Sequence, residues 1–71
     1  MIKYTTCLVK KPIPGSTKTE VFCQKRSIYT STDPVYVVIE TILNHFGKQG
    51  WSLYQMESNI AETILVFERK A

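Results

Sequence analysis

Asp33-Pro34-Val35-Tyr36-Val37-Val38-Ile39-Glu40-Thr41-Ile42-Leu43-Asn44-His45-Phe46-Gly47-Lys48-Gln49-Gly50-Trp51 is the stretch that decides the fold. Val35, Val38, Ile39, Ile42, Leu43 and Phe46 recur at the spacing of one helical face, with Tyr36, Glu40, Asn44 and Lys48 on the opposite one. Asp33 or Thr32 is placed to cap the first orphan amides, and Pro34 suits the first helical position, where its missing N–H costs nothing. Much of the apolar face is β-branched, so tertiary packing rather than intrinsic propensity must hold this helix. Gly47 and Gly50 bracket the exit. A glycine just past the last turn takes left-handed backbone without a Cβ clash, and the chain then enters a strand at Trp51.

Outward from the helix, the pattern changes to a period of two. Residues 2–9 alternate Ile2, Tyr4, Thr6 and Leu8 with Lys3, Thr5, Cys7 and Val9, as in a half-buried strand. Pro12, Pro14 and Gly15 break it into a loop, and an extended pattern resumes from Thr19 to about Ile28. Trp51, Leu53 and Gln55 alternate with Ser52, Tyr54 and Met56. A turn at Ser58-Asn59-Ile60-Ala61 leads to a last strand, Glu62 to Arg69. The expectation is an α+β fold in the order β-β-α-β-β: a four-stranded antiparallel sheet with one amphipathic helix on one face.

The chain has 71 residues, room for a single domain, 1–71, with a thin core. Apolar residues at 44% and charged residues at 21% are globular values. No apolar run approaches the roughly 20 residues that span a bilayer, and the N-terminus lacks a signal-peptide layout. A cytoplasmic protein that engages no membrane is therefore expected. Cys7 and Cys23, with a single histidine, fall short of a zinc site, so no metal and no cofactor is expected. Two small buried thiols on neighbouring strands are the favoured reading of the pair. A disulfide is the alternative, disfavoured in a reducing cytosol.

One helix covers one face of a four-stranded sheet, yet apolar residues occupy both. Ile64 and Val66 alternate with Leu65 and Phe67, and Tyr54 and Met56 lie opposite Trp51 and Leu53. A face turned to water should be polar. An apolar second face marks an interface, with Tyr54, Met56, Phe22 and Leu65 as its expected residues and a homo-oligomer, dimer or higher, as the expected state. The loop around residues 10–18, folded over the sheet, would be the alternative cover.

His45, Glu57 and Glu62 form no arrangement suited to catalysis, and there is no phosphate loop, so no enzyme is expected. The net charge of +3 favours weak attraction to anions. If the first hairpin places Lys3 opposite Lys25 and Lys10 opposite Lys18, an anion would relieve the repulsion. Lys3, Lys10, Lys25 and Arg26 are then the candidate ligands of a small anionic nucleotide. Aromatic residues among basic ones permit base stacking, but without a ribonucleoprotein-type motif nucleic acid is the weaker reading.

Leu43-Asn44-His45-Phe46-Gly47-Lys48-Gln49-Gly50-Trp51-Ser52-Leu53 resembles the Leu-Asn-x-x-Gly-x-x-Gly-Trp-x-Leu core of the short bacterial and phage family called domain of unknown function 4177. The likeness extends to Tyr4 and Val9 and to Leu65-Val66-Phe67-Glu68-Arg69; residues 11–30 form a longer segment than the family has. It implies the same fold and brings no settled activity. The family's occurrence in phage genomes implies a small counter-defence or host-takeover protein in the host cytoplasm. Two functions are carried forward: a non-enzymatic oligomeric module that docks on a host protein, and a sponge that sequesters an anionic nucleotide signal between subunits.

Overall fold

The computed structural model describes residues 1–70. They form β1 (Ile2–Lys10), β2 (Thr19–Cys23), β3 (Arg26–Ser31), α1 (Val35–Gly47), β4 (Ser52–Ser58) and β5 (Glu62–Lys70). The fold is α+β, with one helix on an antiparallel sheet. The sheet has five strands rather than four, in the order β3-β2-β1-β5-β4. The difference arises where one strand was expected from Thr19 to about Ile28. Gln24 and Lys25 both take positive φ, 53° and 66°, and fold that segment into a tight hairpin. Two-residue turns of this hand suit the twist of the flanking strands and are usually announced by Asn-Gly or Asp-Gly. Gln-Lys announces nothing.

The first and last strands lie side by side at the centre, paired from Ile2↔Lys70 through Lys10↔Glu62. Directly opposed residues share a face, so the register fixes two sides. On one side Cys7, Val9, Val21, Leu65 and Phe67 are buried beneath Val38 and Ile42 of α1. Val35, Ile39, Leu43 and Phe46 complete the packing, as the helical spacing requires. Phe46 stacks on Phe67 at 4.5 Å between centroids, which ties the last turn of the helix to the central strand.

Both helix ends differ from expectation. Pro34 itself occupies the cap position, and no side chain caps the helix. The amides of Val37 and Val38 donate to the Pro34 carbonyl at 3.0 and 3.2 Å, while the Asp33 amide is turned back onto Ser31 Oγ at 3.0 Å. At the exit, Gly47 still belongs to the helix and Lys48 remains right-handed. Gly50 alone takes the left-handed turn, at φ 84°. Gly50 N donates to Gly47 O at 3.1 Å and Trp51 N to Phe46 O at 3.0 Å, the paired bonds of a Schellman closure. The apolar contact that accompanies such closures is present too, with Trp51 edge-on to Phe46 and Arg69 over the indole at 4.5 Å.

Cys7 and Cys23 form a disulfide across β1 and β2, which corrects the expectation of two free thiols. The register explains it: Cys7 and Cys23 are direct partners on the helix-facing side, so their side chains meet. No helix among the described residues is long and apolar enough to cross a membrane.

Candidate functional site

The side of the sheet away from α1 is the candidate site. Phe22, Leu8 and Ile64 lie in one row across β2, β1 and β5, being direct register partners. Val66 follows on β5, two residues along on the same face. Tyr4 sits edge-on against Tyr54 with ring centroids 5.3 Å apart. Leu8, Phe22, Ile64 and Val66 are half-buried by their neighbours alone, while Tyr4 and Tyr54 remain 53% and 57% exposed. The loop of residues 11–18 does not cover them. Its Lys11 amide bonds to Ala61 O, and Ile13 is left 71% exposed.

Two bulges determine which side chains reach this face. Val21 pairs with Tyr29 but Phe22 with Ser27, so Ile28 is an extra residue in β3. Leu53 pairs with Phe67 but Gln55 with Val66, so Tyr54 is an extra residue in β4. Beyond Tyr54 the alternation is reversed. Met56 pairs with Leu65 and therefore lies on the helix side, where it stays exposed. Of the four residues expected at the interface, the structure puts Tyr54 and Phe22 on the open face. Met56 lies on the other side. Leu65 is in the core and fully buried, because its place opposite Cys7 turns it towards the helix.

The charges are sorted between the two sides. Parity along the register puts Lys10, Lys70, Glu20, Glu57, Glu62 and Glu68 on the open face, a net of −2. The whole chain carries +3, so the rest of the molecule carries +5. Four carboxylates against two ammoniums on this face oppose the approach of a phosphate backbone.

The four basic candidates divide. In the observed register Lys10 faces Glu20 and Glu62, not Lys18, and its ammonium lies 5.2 Å from the Phe22 ring centre. Its register neighbours are acidic rather than basic, so the repulsion expected of the hairpin does not arise. Lys3 pairs with Arg69 rather than Lys25, at the other end of β1. Arg26 is level with Cys7 through Cys23, and Lys25 sits in the β2–β3 turn beyond β2, so the structure does not gather these two with Lys3 and Arg69 at that end. Arg69 and Lys70, not anticipated as ligands, line a cleft of about 310 Å³ there, with Glu68 on its wall. Their signal was the Arg-Lys doublet at the chain's end.

A second groove, of about 380 Å³, runs between α1 and the β2–β3 hairpin, against Ile28, Tyr29, Ile42 and Phe46. His45 lies on it, 3.4 Å from Gln49 Nε2. Among the described residues no three potential metal ligands gather. No family model, curated protein or solved structure matches the chain.

Proposed function

We propose that this chain is a small non-enzymatic interaction module that works as a homo-oligomer assembled through the open face of its sheet. The observation that carries the reading is the uncovered apolar row Phe22, Leu8 and Ile64 with Val66 and the Tyr4–Tyr54 pair beside it. Assembly by extending the sheet is less favourable. Both edge strands, β3 and β4, carry a bulge, the device by which proteins blunt their edges. Stacking leaves the helices and the residue 11–18 loops outward, free to dock on a second protein. The likeness to domain of unknown function 4177 suggests a host protein and a phage-encoded origin.

Light scattering tests the assembly. The expected mass is twice 8.2 kDa or a higher multiple, and Leu8→Glu or Tyr54→Glu should return it to 8.2 kDa with the far-UV spectrum intact. A wild-type mass of 8.2 kDa at high micromolar concentration would end the proposal.

A second reading is favoured by the cleft at the Ile2 end: the sequestration of a small anionic nucleotide by Arg69 and Lys70, with Lys3 paired beside Arg69. Lys10, Lys25 and Arg26 drop out of the expected set. A thermal-shift panel of nucleotides and cyclic dinucleotides should raise the melting temperature if the reading holds.

A further inference from the structure

We propose that the partner on the open face is a second copy turned end over end, so that the Lys10 end of one sheet lies on the Ile2 end of the other. The inference rests on the preceding reading and adds the geometry. Area and charge argue for it.

The strands have 9, 5, 6, 7 and 9 residues, and at about 3.3 Å along the strand by about 4.8 Å across it per residue the face presents roughly 600 Å². Two such faces together bury about 1,200 Å², the lower bound of stable specific interfaces. A copy of this chain therefore has enough surface, provided the faces stack in alignment.

Charge chooses between the two aligned ways of stacking. The Lys10 end of the face holds Glu20, Glu62 and Glu57 against Lys10, whereas the other end holds Glu68 and Lys70. Laying like end on like end would crowd six carboxylates together, with Glu62 over the second copy's Glu20. Turning one copy end over end lays β5 on β5 in opposite directions. Glu62 then meets the second copy's Lys70, twice by symmetry, and Tyr4 covers the second copy's Leu8. The result is a sandwich of two five-stranded sheets with a helix on each outer side.

The test is charge reversal across β5. Within one chain Glu62 and Lys70 are about 26 Å apart on a single strand, too far to interact in water. Any coupling between them therefore passes between copies. Glu62→Lys and Lys70→Glu should each weaken the dimer about tenfold by sedimentation equilibrium, and the double variant should recover most of the affinity. The like-end arrangement reverses the sign, because Glu62→Lys would relieve repulsion from Glu20 and tighten the dimer. A dimer tightened by Glu62→Lys, or a double variant no better than the singles, overturns the orientation and leaves the assembly standing. A wild-type monomer overturns both.

Discussion

Opening the Cys7–Cys23 bond, by reduction or by the paired substitutions Cys7→Ala and Cys23→Ala, should cost the fold about 3 kcal/mol. The bond closes a loop of sequence separation 16, and freeing a loop of about that length in the unfolded chain restores roughly that much conformational entropy. Pro12 and Pro14 already stiffen the loop, so the figure is an upper value. At roughly 0.05–0.15 kcal/mol per residue, a chain of 71 residues has about 4–11 kcal/mol in total. At that upper value the bond supplies between about a quarter and three quarters of the margin. Urea unfolding followed by far-UV circular dichroism, with and without reductant, measures the effect. With a slope of about 1 kcal/mol per molar, expected for a chain this small, the midpoint should fall by about 2–3 M. Alkylation in denaturant, before and after reduction, counts the free thiols and establishes which form is being melted. A fall of less than about 0.5 M, with thiols free only after reduction, would refute the entropic reasoning. Free thiols in the untreated protein would refute the bond itself. The experiment also bears on compartment, since a protein that needs this bond is poorly suited to a reducing cytosol.

Two further substitutions separate what the helix exit needs from what it tolerates. Gly50→Ala should destabilise by about 1–2 kcal/mol, because φ 84° puts any Cβ in the strained left-handed region. Gly47→Ala should stabilise by about 0.5–1 kcal/mol, since nothing lies within 4 Å of its Cβ position and the residue is helical. Melting temperatures should move in opposite directions, by about 4–8 °C per kcal/mol in a domain this small; movement in the same direction would contradict the Schellman assignment. Thr19→Val should raise the melting temperature, because Thr19 Oγ1 is buried without a hydrogen-bond partner and a methyl in its place removes that cost of about 1–3 kcal/mol. A lowered temperature would mean that the hydroxyl is paired after all.

The helix was legible because six apolar residues repeat its period from Val35 to Phe46, and each of them packs on the core. Val38 and Ile42 at the centre of that stripe are the most deeply buried. The β1 and β5 pattern was legible for the same reason, since uninterrupted strands keep their alternation. What stayed hidden depends on single residues that carry no periodic signal. Gln24 and Lys25 adopt backbone that their side chains do not favour, so the β2–β3 hairpin passed as one strand. The disulfide was hidden because pairing depends on register: a shift of two residues, from Lys10 opposite Lys18 to Lys10 opposite Glu20, brings Cys7 to Cys23. The same shift removes the repulsion on which the anion reading of Lys10 rested. The basic end was legible only through Lys3, since Arg26 stands level with Cys7 and Lys25 in the turn beside it. Arg69 joined it only through its pairing with Lys3.

The bulge at Tyr54 connects the fold to its proposed assembly. Side chains alternate with a period of two, so one extra residue exchanges the sides of everything beyond it. Without Tyr54 as the extra residue, Met56 would stand on the open face and Glu57 on the helix side. The face would then be more apolar and less acidic at the Lys10 end. With the bulge, Glu57 joins Glu20 and Glu62 there, and Gln55 Nε2 holds the Glu57 carboxylate at 2.9 Å. The same residue supplies the ring that packs against Tyr4. One insertion thus extends the apolar patch towards the Ile2 end and concentrates carboxylates at the other. A face of that kind is matched poorly by its like-end image and well by its reverse. The bulge also bends β4 away from edge pairing, so the feature that discourages growth of the sheet at its edge prepares its face for a second sheet.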